Sequence, residues 1–313
     1  MMTSNDSSYL LFAGSSHEGL ALKIASELRV NLGKVHKETF PDGEIGIQIQ
    51  ENVRGKDVFL LQSLALRPNH YLMELLIMAD ALKRSSARSI TAVLPYFAYS
   101  RQDRKDKPHM PITAKLVANL LEKAGITRII AMDLHTEQMQ GFFDIPVEHL
   151  YARPLFVKAF ADLGMKDLVV VSPDVGGNKR AREFAEVLGV DLAIVDKRRL
   201  DSSHVAANAF IGDVKGKNVV LVDDMCSTGA TLKSAAVACL TRGAQSVIAV
   251  VSHGLFVRED GLKESGIDRI YVTDTIPNGI QPGIEVKVVE TAQLFAQAID
   301  CVVNAKSITS LFY

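Results

Sequence analysis

The sequence predicts an α/β fold: two domains, each a mainly parallel sheet flanked by helices. Three observations lead there. Short runs rich in branched apolar residues alternate with stretches of helical apolar spacing, and parallel strands need such helical crossovers, which cover both faces of a sheet. With 313 residues, 48% of them hydrophobic, the chain is long enough for two ordinary cores. Polar and charged clusters fall at the carboxyl ends of the apolar runs, where open α/β sheets bind ligands.

The elements follow in order. In the first half, YLLFAG (9–14), DVFLLQS (57–63), SITAVLPY (89–96) and RIIAMDLH (128–135) read as buried strands. The spacing over 70–85 and over 111–124, which opens at a proline, predicts helices between them. In the second half DLVVVSP (167–173), DLAIVDK (191–197), NVVLVDD (218–224) and SVIAVVSHG (246–254) alternate with helical patterns over 177–188 and 229–242. The domain boundary is placed near 148–152, giving a first domain of 1–150 and a second of 151–289. A final helix over about 290–305, with the tail to 313, is expected to cross back onto the first domain. ITAVLPYFAYSRQ (90–102) and NVVLVDDMCSTGA (218–230) read as equivalent points of two duplicated domains.

Composition excludes several classes. A net charge of −1 gives no general attraction to nucleic acid or to an anionic membrane. The opening MMTSNDSS has no apolar h-region and no run of about 18 apolar residues occurs, so a cytoplasmic, membrane-free protein is expected. Cys226, Cys239 and Cys301 lack C-x-x-C spacing, which supports neither a disulfide framework nor a zinc site.

The densest chemistry lies in VVLVDDMCSTGATL (219–232). Val219–Val222 reads as a strand and Thr231–Leu240 as a helix, making 223–230 a strand-to-helix turn. Gly229, free helix-N-terminal amides and the hydroxyls of Ser227, Thr228 and Thr231 suit a phosphate. Asp223 and Asp224 would repel that phosphate, so they face sugar hydroxyls or a divalent cation. A sugar phosphate satisfies both halves; an acid pair with a threonine helix cap is the plainer reading.

Other strand ends add to this. Asp133 and His135, two apart and hence on one strand face, could hold a cation or a phosphate, or His135 is structural. Arg101, Arg104, Lys105 and Lys107 lie among Asp103 and Asp106 in a loop suited to a lid over polyphosphate. Lys197 and Arg199 share a face and would stabilise charge on a transferring phosphoryl group. Asp174, before Gly176 and Gly177, either ligates Mg²⁺ or caps the next helix. Phe40, Asp42 and Glu44 lie on one side of an extended segment around Pro-Asp-Gly; they form a hairpin corner or stack on and hydrogen-bond a purine. No G-x-x-x-x-G-K-[ST] occurs, so any ATP is bound without a P-loop.

FPDGE, RQDRK, PITAKLVANLLE, DLHTEQMQGFFDIP, SPDVGGNKRAR, VDKRR and VDDMCSTGAT, in this order, resemble the ribose-phosphate diphosphokinases of the phosphate-regulated class, from about residue 9 to the C-terminus. The resemblance implies two phosphoribosyltransferase-type domains and diphosphoryl transfer from Mg-ATP to ribose 5-phosphate. It implies that Phe40, Asp42 and Glu44 reach the adenine of a neighbouring subunit and that Arg101, Gln102, Asp106 and His135 hold ATP. It places Asp133, His135 and Asp174 near Mg²⁺ and makes Lys197 and Arg199 catalytic. Asp223, Asp224, Ser227, Thr228, Gly229, Ala230 and Thr231 would bind ribose 5-phosphate. It further implies a homo-oligomer, as a hexamer, with regulation by phosphate and ADP involving the tail SITSLFY (307–313). The family's loop usually has a third acid where this chain has Ser227. Two rival expectations remain: a base-transferring phosphoribosyltransferase, which the 223–231 turn alone allows, and a non-catalytic regulatory homologue that binds synthetase subunits.

Overall fold

A computed structural model describes residues 9–161, 165–197, 208–277 and 281–312. In chain order the first elements are β1 (Tyr9–Ala13), α1 (Glu18–Leu28), β2 (Val35–Thr39), β3 (Ile45–Ile49), β4 (Asp57–Leu61), α2 (Pro68–Arg84), β5 (Ser89–Leu94), α3 (Thr113–Ala124), β6 (Arg128–Met132) and β7 (Val147–Leu150). There follow α4 (Arg153–Ala161), β8 (Leu168–Ser172), α5 (Asn178–Leu188), β9 (Asp191–Lys197), β10 (Asn208–Ile211), β11 (Asn218–Cys226), α6 (Ala230–Thr241), β12 (Ser246–Gly254), β13 (Arg269–Thr273), β14 (Glu285–Val289) and α7 (Ala292–Val303).

Two compact units result. One holds the described residues up to Tyr151, Thr275–Pro277 and those from Thr291 onward, so α7 belongs to it and packs on α1. The other holds the rest. Local signals set the helix ends. Pro68 sits at the start of α2, where its missing N–H is harmless, and α3 and α5 stop at the left-handed Gly125 and Gly189. Ala114, Val117, Ala118 and Leu121 give α3 a buried stripe at helical spacing.

The first unit carries a parallel sheet in the order β1-β4-β5-β6-β7 and the antiparallel hairpin β2-β3. The second carries β10-β9-β8-β11-β12-β13-β14, parallel throughout except where β10 runs antiparallel to β9. Its core lies between the sheet and α6, with Val169, Leu221 and Ala249 from the strands against Leu232, Ala235 and Cys239. Without the β9-β10 pair, the order β8-β11-β12-β13-β14 repeats β1-β4-β5-β6-β7 strand for strand. Backbone detail repeats as well: the Asp133 amide donates to Leu150 O at 2.9 Å, and the amide of Asp274, just past β13, donates to Val289 O at 3.2 Å.

This topology corrects one expectation. The counterpart of β11 is β4, not β5, so NVVLVDDMCSTGA matches the segment from Asp57 and ITAVLPYFAYSRQ matches β12. Both segments run from an apolar strand into polar residues, a pattern that does not by itself mark equivalent positions.

Candidate active site

β11 runs further than its apolar composition suggests. Pairing with β12 continues from Asn218↔Ser246 to Cys226↔Gly254, so Asp223 and Asp224 lie inside the strand and the turn shrinks to Ser227–Gly229. Two adjacent acids are tolerated there because the strand end meets α5. Arg180 of α5 reaches Asp224, Nη1 to Oδ1 at 3.5 Å, and Asp224 is 4% exposed. Asp223 Oδ1 accepts the Asp224 amide at 2.9 Å. Desolvation first, then the neighbouring charges of Asp224 and Asp174, hold the Asp223 carboxyl well above the usual carboxylate range.

Asp174 approaches from the turn after β8. Its Oδ1 accepts the Gly177 amide at 2.9 Å, and Ser172 Oγ donates to its carbonyl at 2.7 Å. One oxygen thus braces the glycine turn that leads into α5. An added Cβ at Gly177 would lie 3.0 Å from Ser172 Oγ and 4.0 Å from Asp223 Oδ1, which places the glycine turn directly against the acids.

The turn after β11 is built to expose amides. Gly229 has φ +83 and caps α6 without a side-chain hydrogen bond, and a Cβ there would meet Leu262 at 2.7 Å and Gly261 O at 2.9 Å. Both facts demand glycine. Ser227 O is taken by the Val257 amide at 3.0 Å, whereas the Thr228 hydroxyl reaches the Ala230 amide only at 3.4 Å. Thr228 and Ala230 are exposed and Thr231 half-buried. The first amides of α6 thus face outward beside hydroxyls, an anion cradle with helix-dipole support. Cys226 is buried beneath the turn, where desolvation pushes its thiol up to about 12.

The first unit brings two other predicted segments together. Asp133 is 7% exposed and has φ +39, so the strand ends at Met132 and the expected sharing of one face by Asp133 and His135 does not hold. The loop is instead pinned by the Asp133 bond to Leu150 O and by the Leu134 amide, which donates to His149 Nε2 at 3.0 Å. Thr136 Oγ1 donates to Asp103 Oδ2 at 3.0 Å, tying the 133–137 segment to the basic loop. Within that loop Gln102 Oε1 accepts from Thr113 Oγ1 at 2.5 Å and Arg104 pairs with Asp106 at 3.1 Å, while Arg101 is exposed.

Phe40, Asp42 and Glu44 sit at the tip of the β2-β3 hairpin. The Phe40 amide donates to Glu44 O and the Gly43 amide to Phe40 O, both at 2.8 Å, which closes the hairpin corner that was one of the two expectations for this segment. Phe40 is 43% exposed, a large apolar ring held outward by that turn. Lys197 ends β9; its side chain and Arg199 lie outside the described residues. Arg180, Gly261 and His149 are the contributors that sequence reasoning did not assign to the site. Of these only Arg180 carried a signal, as a cation at helical spacing after the Gly-Gly turn.

Comparison with known proteins settles the family. The N-terminal domain of ribose phosphate pyrophosphokinase matches residues 9–125, and the phosphoribosyl transferase domain matches residues 144–287. The chain is 47% identical over 307 residues to the ribose-phosphate pyrophosphokinase of Helicobacter hepaticus, covering 97% of this chain and 99% of that one. The chain belongs to the ribose-phosphate pyrophosphokinase family. The Porphyromonas gingivalis ribose-phosphate pyrophosphokinase is 45% identical, with 99% of each chain covered. The phosphoribosylpyrophosphate synthetase of Mycobacterium smegmatis has a similar structure, with a TM-score of 0.89 at 42% identity over 95% of this chain and 99% of that one. Among the described residues no three His, Cys, Asp or Glu side chains form a preformed cation cage, and no helix is long and apolar enough to cross a membrane.

Proposed function

We infer that the protein transfers the β,γ-diphosphoryl group of ATP to the C1 hydroxyl of ribose 5-phosphate, giving 5-phosphoribosyl 1-diphosphate and AMP. The observation that carries this is full-length similarity to pyrophosphokinases in a chain whose β11–α6 turn pairs acids with an anion cradle. Neither rival fits as well. The first unit matches the pyrophosphokinase N-terminal domain, which a base-transferring enzyme has no use for, and the substrate acids are intact, which a non-catalytic homologue does not require.

In this reading Asp223 and Asp224 accept hydrogen bonds from the ribose diol, and Ser227, Thr228, Gly229, Ala230 and Thr231 hold the 5-phosphate. Arg180 pairs with Asp224 and holds its side chain in place. Arg101, Gln102, Asp106 and His135 hold ATP, and Phe40, Asp42 and Glu44 reach the adenine bound by a neighbouring subunit of a homohexamer. The C1 oxygen forms its bond to the β-phosphorus as the bond from that phosphorus to the α-phosphate oxygen breaks, and AMP leaves. Lys197 and Arg199 meet the charge that develops on the transferring group.

Asp133, His135 and Asp174 are assigned to Mg²⁺, which when bound neutralises phosphate charge. Mg²⁺ is commonly held by one or two carboxylates with substrate phosphates completing its shell, and Asp174, with one oxygen taken by the Gly177 amide, offers the other to a cation. Inorganic phosphate and ADP act through the tail 307–313, and the enzyme works in the cytoplasm, supplying nucleotide biosynthesis. The test is direct: purified protein given Mg-ATP and ribose 5-phosphate forms AMP and 5-phosphoribosyl 1-diphosphate in equal amounts. Failure to form AMP refutes the reading.

A further inference from the structure

Asp133 carries an unusual conformation for a non-glycine residue, φ +39, in a position with 7% exposure. A left-handed aspartate persists only where its surroundings over-determine it. Two hydrogen bonds do so, one on each side. The Asp133 amide is held by Leu150 O at 2.9 Å, and the next amide, Leu134, donates to His149 Nε2 at 3.0 Å in a buried bond. The second is a side-chain bond and therefore belongs to the identity of residue 149.

His149 is well placed to hold that position. It lies in β7 opposite Ala131 of β6, is 8% exposed, and its ring rests on Tyr151 with centroids 4.5 Å apart. Ring contact fixes the imidazole plane; the plane aims Nε2 at the loop. To accept there, the neutral ring carries its proton on Nδ1. From Leu134 the loop passes His135 to Thr136, whose hydroxyl reaches Asp103 in the basic segment at 3.0 Å. One imidazole thus governs where Asp133 and His135 point and where the basic loop is tied.

We propose that His149 is a positioning residue for Mg-ATP: as a hydrogen-bond acceptor for the Leu134 amide it holds the Asp133–His135 loop in its left-handed turn. It touches neither substrate nor reacting atoms. The inference rests on the reading that Asp133 and His135 meet Mg-ATP, and the experiment separates the two.

Three variants are compared in the full-length protein: His149→Phe keeps a ring against Tyr151 but has no acceptor, His149→Gln restores an acceptor, and Asp133→Asn probes the underlying reading. KM for Mg-ATP, KM for ribose 5-phosphate, kcat and Tm are measured for each. His149→Phe is expected to raise KM for Mg-ATP about tenfold, equivalent to about 1.4 kcal/mol. KM for ribose 5-phosphate should stay within about twofold. His149→Gln should recover most of the loss, which a purely structural role for the ring would not produce. If Asp133→Asn impairs Mg-ATP use while His149→Phe leaves its KM unchanged, the positioning role is overturned and the reading of the loop survives. If Asp133→Asn is also without effect, the loop does not serve Mg-ATP and both fall. Should His149→Phe fail to fold, His149→Leu, which also lacks an acceptor, takes its place: a tenfold rise in KM for Mg-ATP with normal Tm supports the role, and a KM near wild type overturns it.

Discussion

Asp223→Asn should improve the free protein and damage the enzyme at once. Asparagine keeps an oxygen for the Asp224 amide, which Asp223 Oδ1 now accepts at 2.9 Å, so the backbone bond survives and only the charge is lost. With Oδ1 occupied, a sugar hydroxyl meets the other oxygen, and one charge-assisted hydrogen bond is at stake. Its loss costs about 1.5–3 kcal/mol, a rise of roughly 10- to 150-fold in KM for ribose 5-phosphate. Stability moves the other way. The folded carboxyl titrates above its ordinary value of 3.8, because of desolvation first and then Asp224 and Asp174. Above pH 3.8 the unfolded chain has released this proton while the folded protein retains it, so the folded state binds more protons and stability falls with rising pH until the raised value is passed. The variant has no such loss. Its Tm should match wild type near pH 3.5 and exceed it at pH 7.5 in the absence of ligand, and calorimetry across that range with steady-state kinetics tests both halves. A variant less stable than wild type at pH 7.5, or one with unchanged KM for ribose 5-phosphate, refutes the reasoning.

Gly14→Ala should lower stability by about 1–3 kcal/mol, read as a drop in Tm, because a Cβ there lies 2.2 Å from Gln62 Oε1, which is pinned by Ser16 Oγ at 2.7 Å. Cys226 and Cys239, whose thiols burial pushes up to about 12, should resist a disulfide reagent at pH 8 in the folded protein and react in denaturant; native labelling of either contradicts their burial. Lys197→Ala or Arg199→Ala should lower kcat by about 10²–10³ with little change in KM for ribose 5-phosphate, and near-normal turnover in both removes them from the transition state. Ser227→Asp places a charge beside the 5-phosphate and should raise that KM or leave it unchanged, with kcat altered by less than about tenfold; abolished activity contradicts the division of the turn into diol acids and phosphate cradle.

What was legible in the sequence was whatever depends on neighbours along the chain. Strands such as Val169–Val171 are buried on both faces and read as unbroken apolar runs, and α3 shows its stripe at helical spacing. The strand-to-helix turn after β11 was legible because glycine, hydroxyls and a helix start are contiguous. The length of β11 was not, because its last residues are held by pairing with β12 out to Gly254, a partner far along the chain that overrides the polar composition of Asp223–Cys226. The left-handed Asp133 was invisible for the same reason: Leu150 and His149 impose it from another strand. Arg180 was readable as a cation but not as the partner of Asp224, which only the packing of α5 on β11 determines.

The repeated strand order lets the strand-end turns of the two units be compared one for one. The counterparts of the turns after β8 and β11 are the turns after β1 and β4. In the second unit those turns present Asp174, Asp223 and exposed helix amides, with like charges crowded together and the Asp223 carboxyl raised. In the first unit the same two places are filled from within. Ser15 donates from its amide to Glu74 Oε1 at 2.8 Å and from its hydroxyl to Oε2 at 2.5 Å, and Gln62 Nε2 donates to the same carboxylate at 3.0 Å. Ser16 Oγ gives its proton to Gln62 Oε1 and receives the Ser63 amide at 2.7 Å. Glu74 and Gln62 are 2% and 0% exposed, so the strand-end groups that would greet a ligand already have partners in a closed network. A carboxylate delivered by α2 fills the turn after β1, and Gln62, just past β4, is held by that carboxylate and by Ser16. A ligand at these strand ends would have to replace satisfied buried hydrogen bonds, whereas the turn after β11 in the second unit presents exposed residues beside a helix start, and on the proposed reading that difference in the cost of occupancy favours ribose 5-phosphate in the second unit.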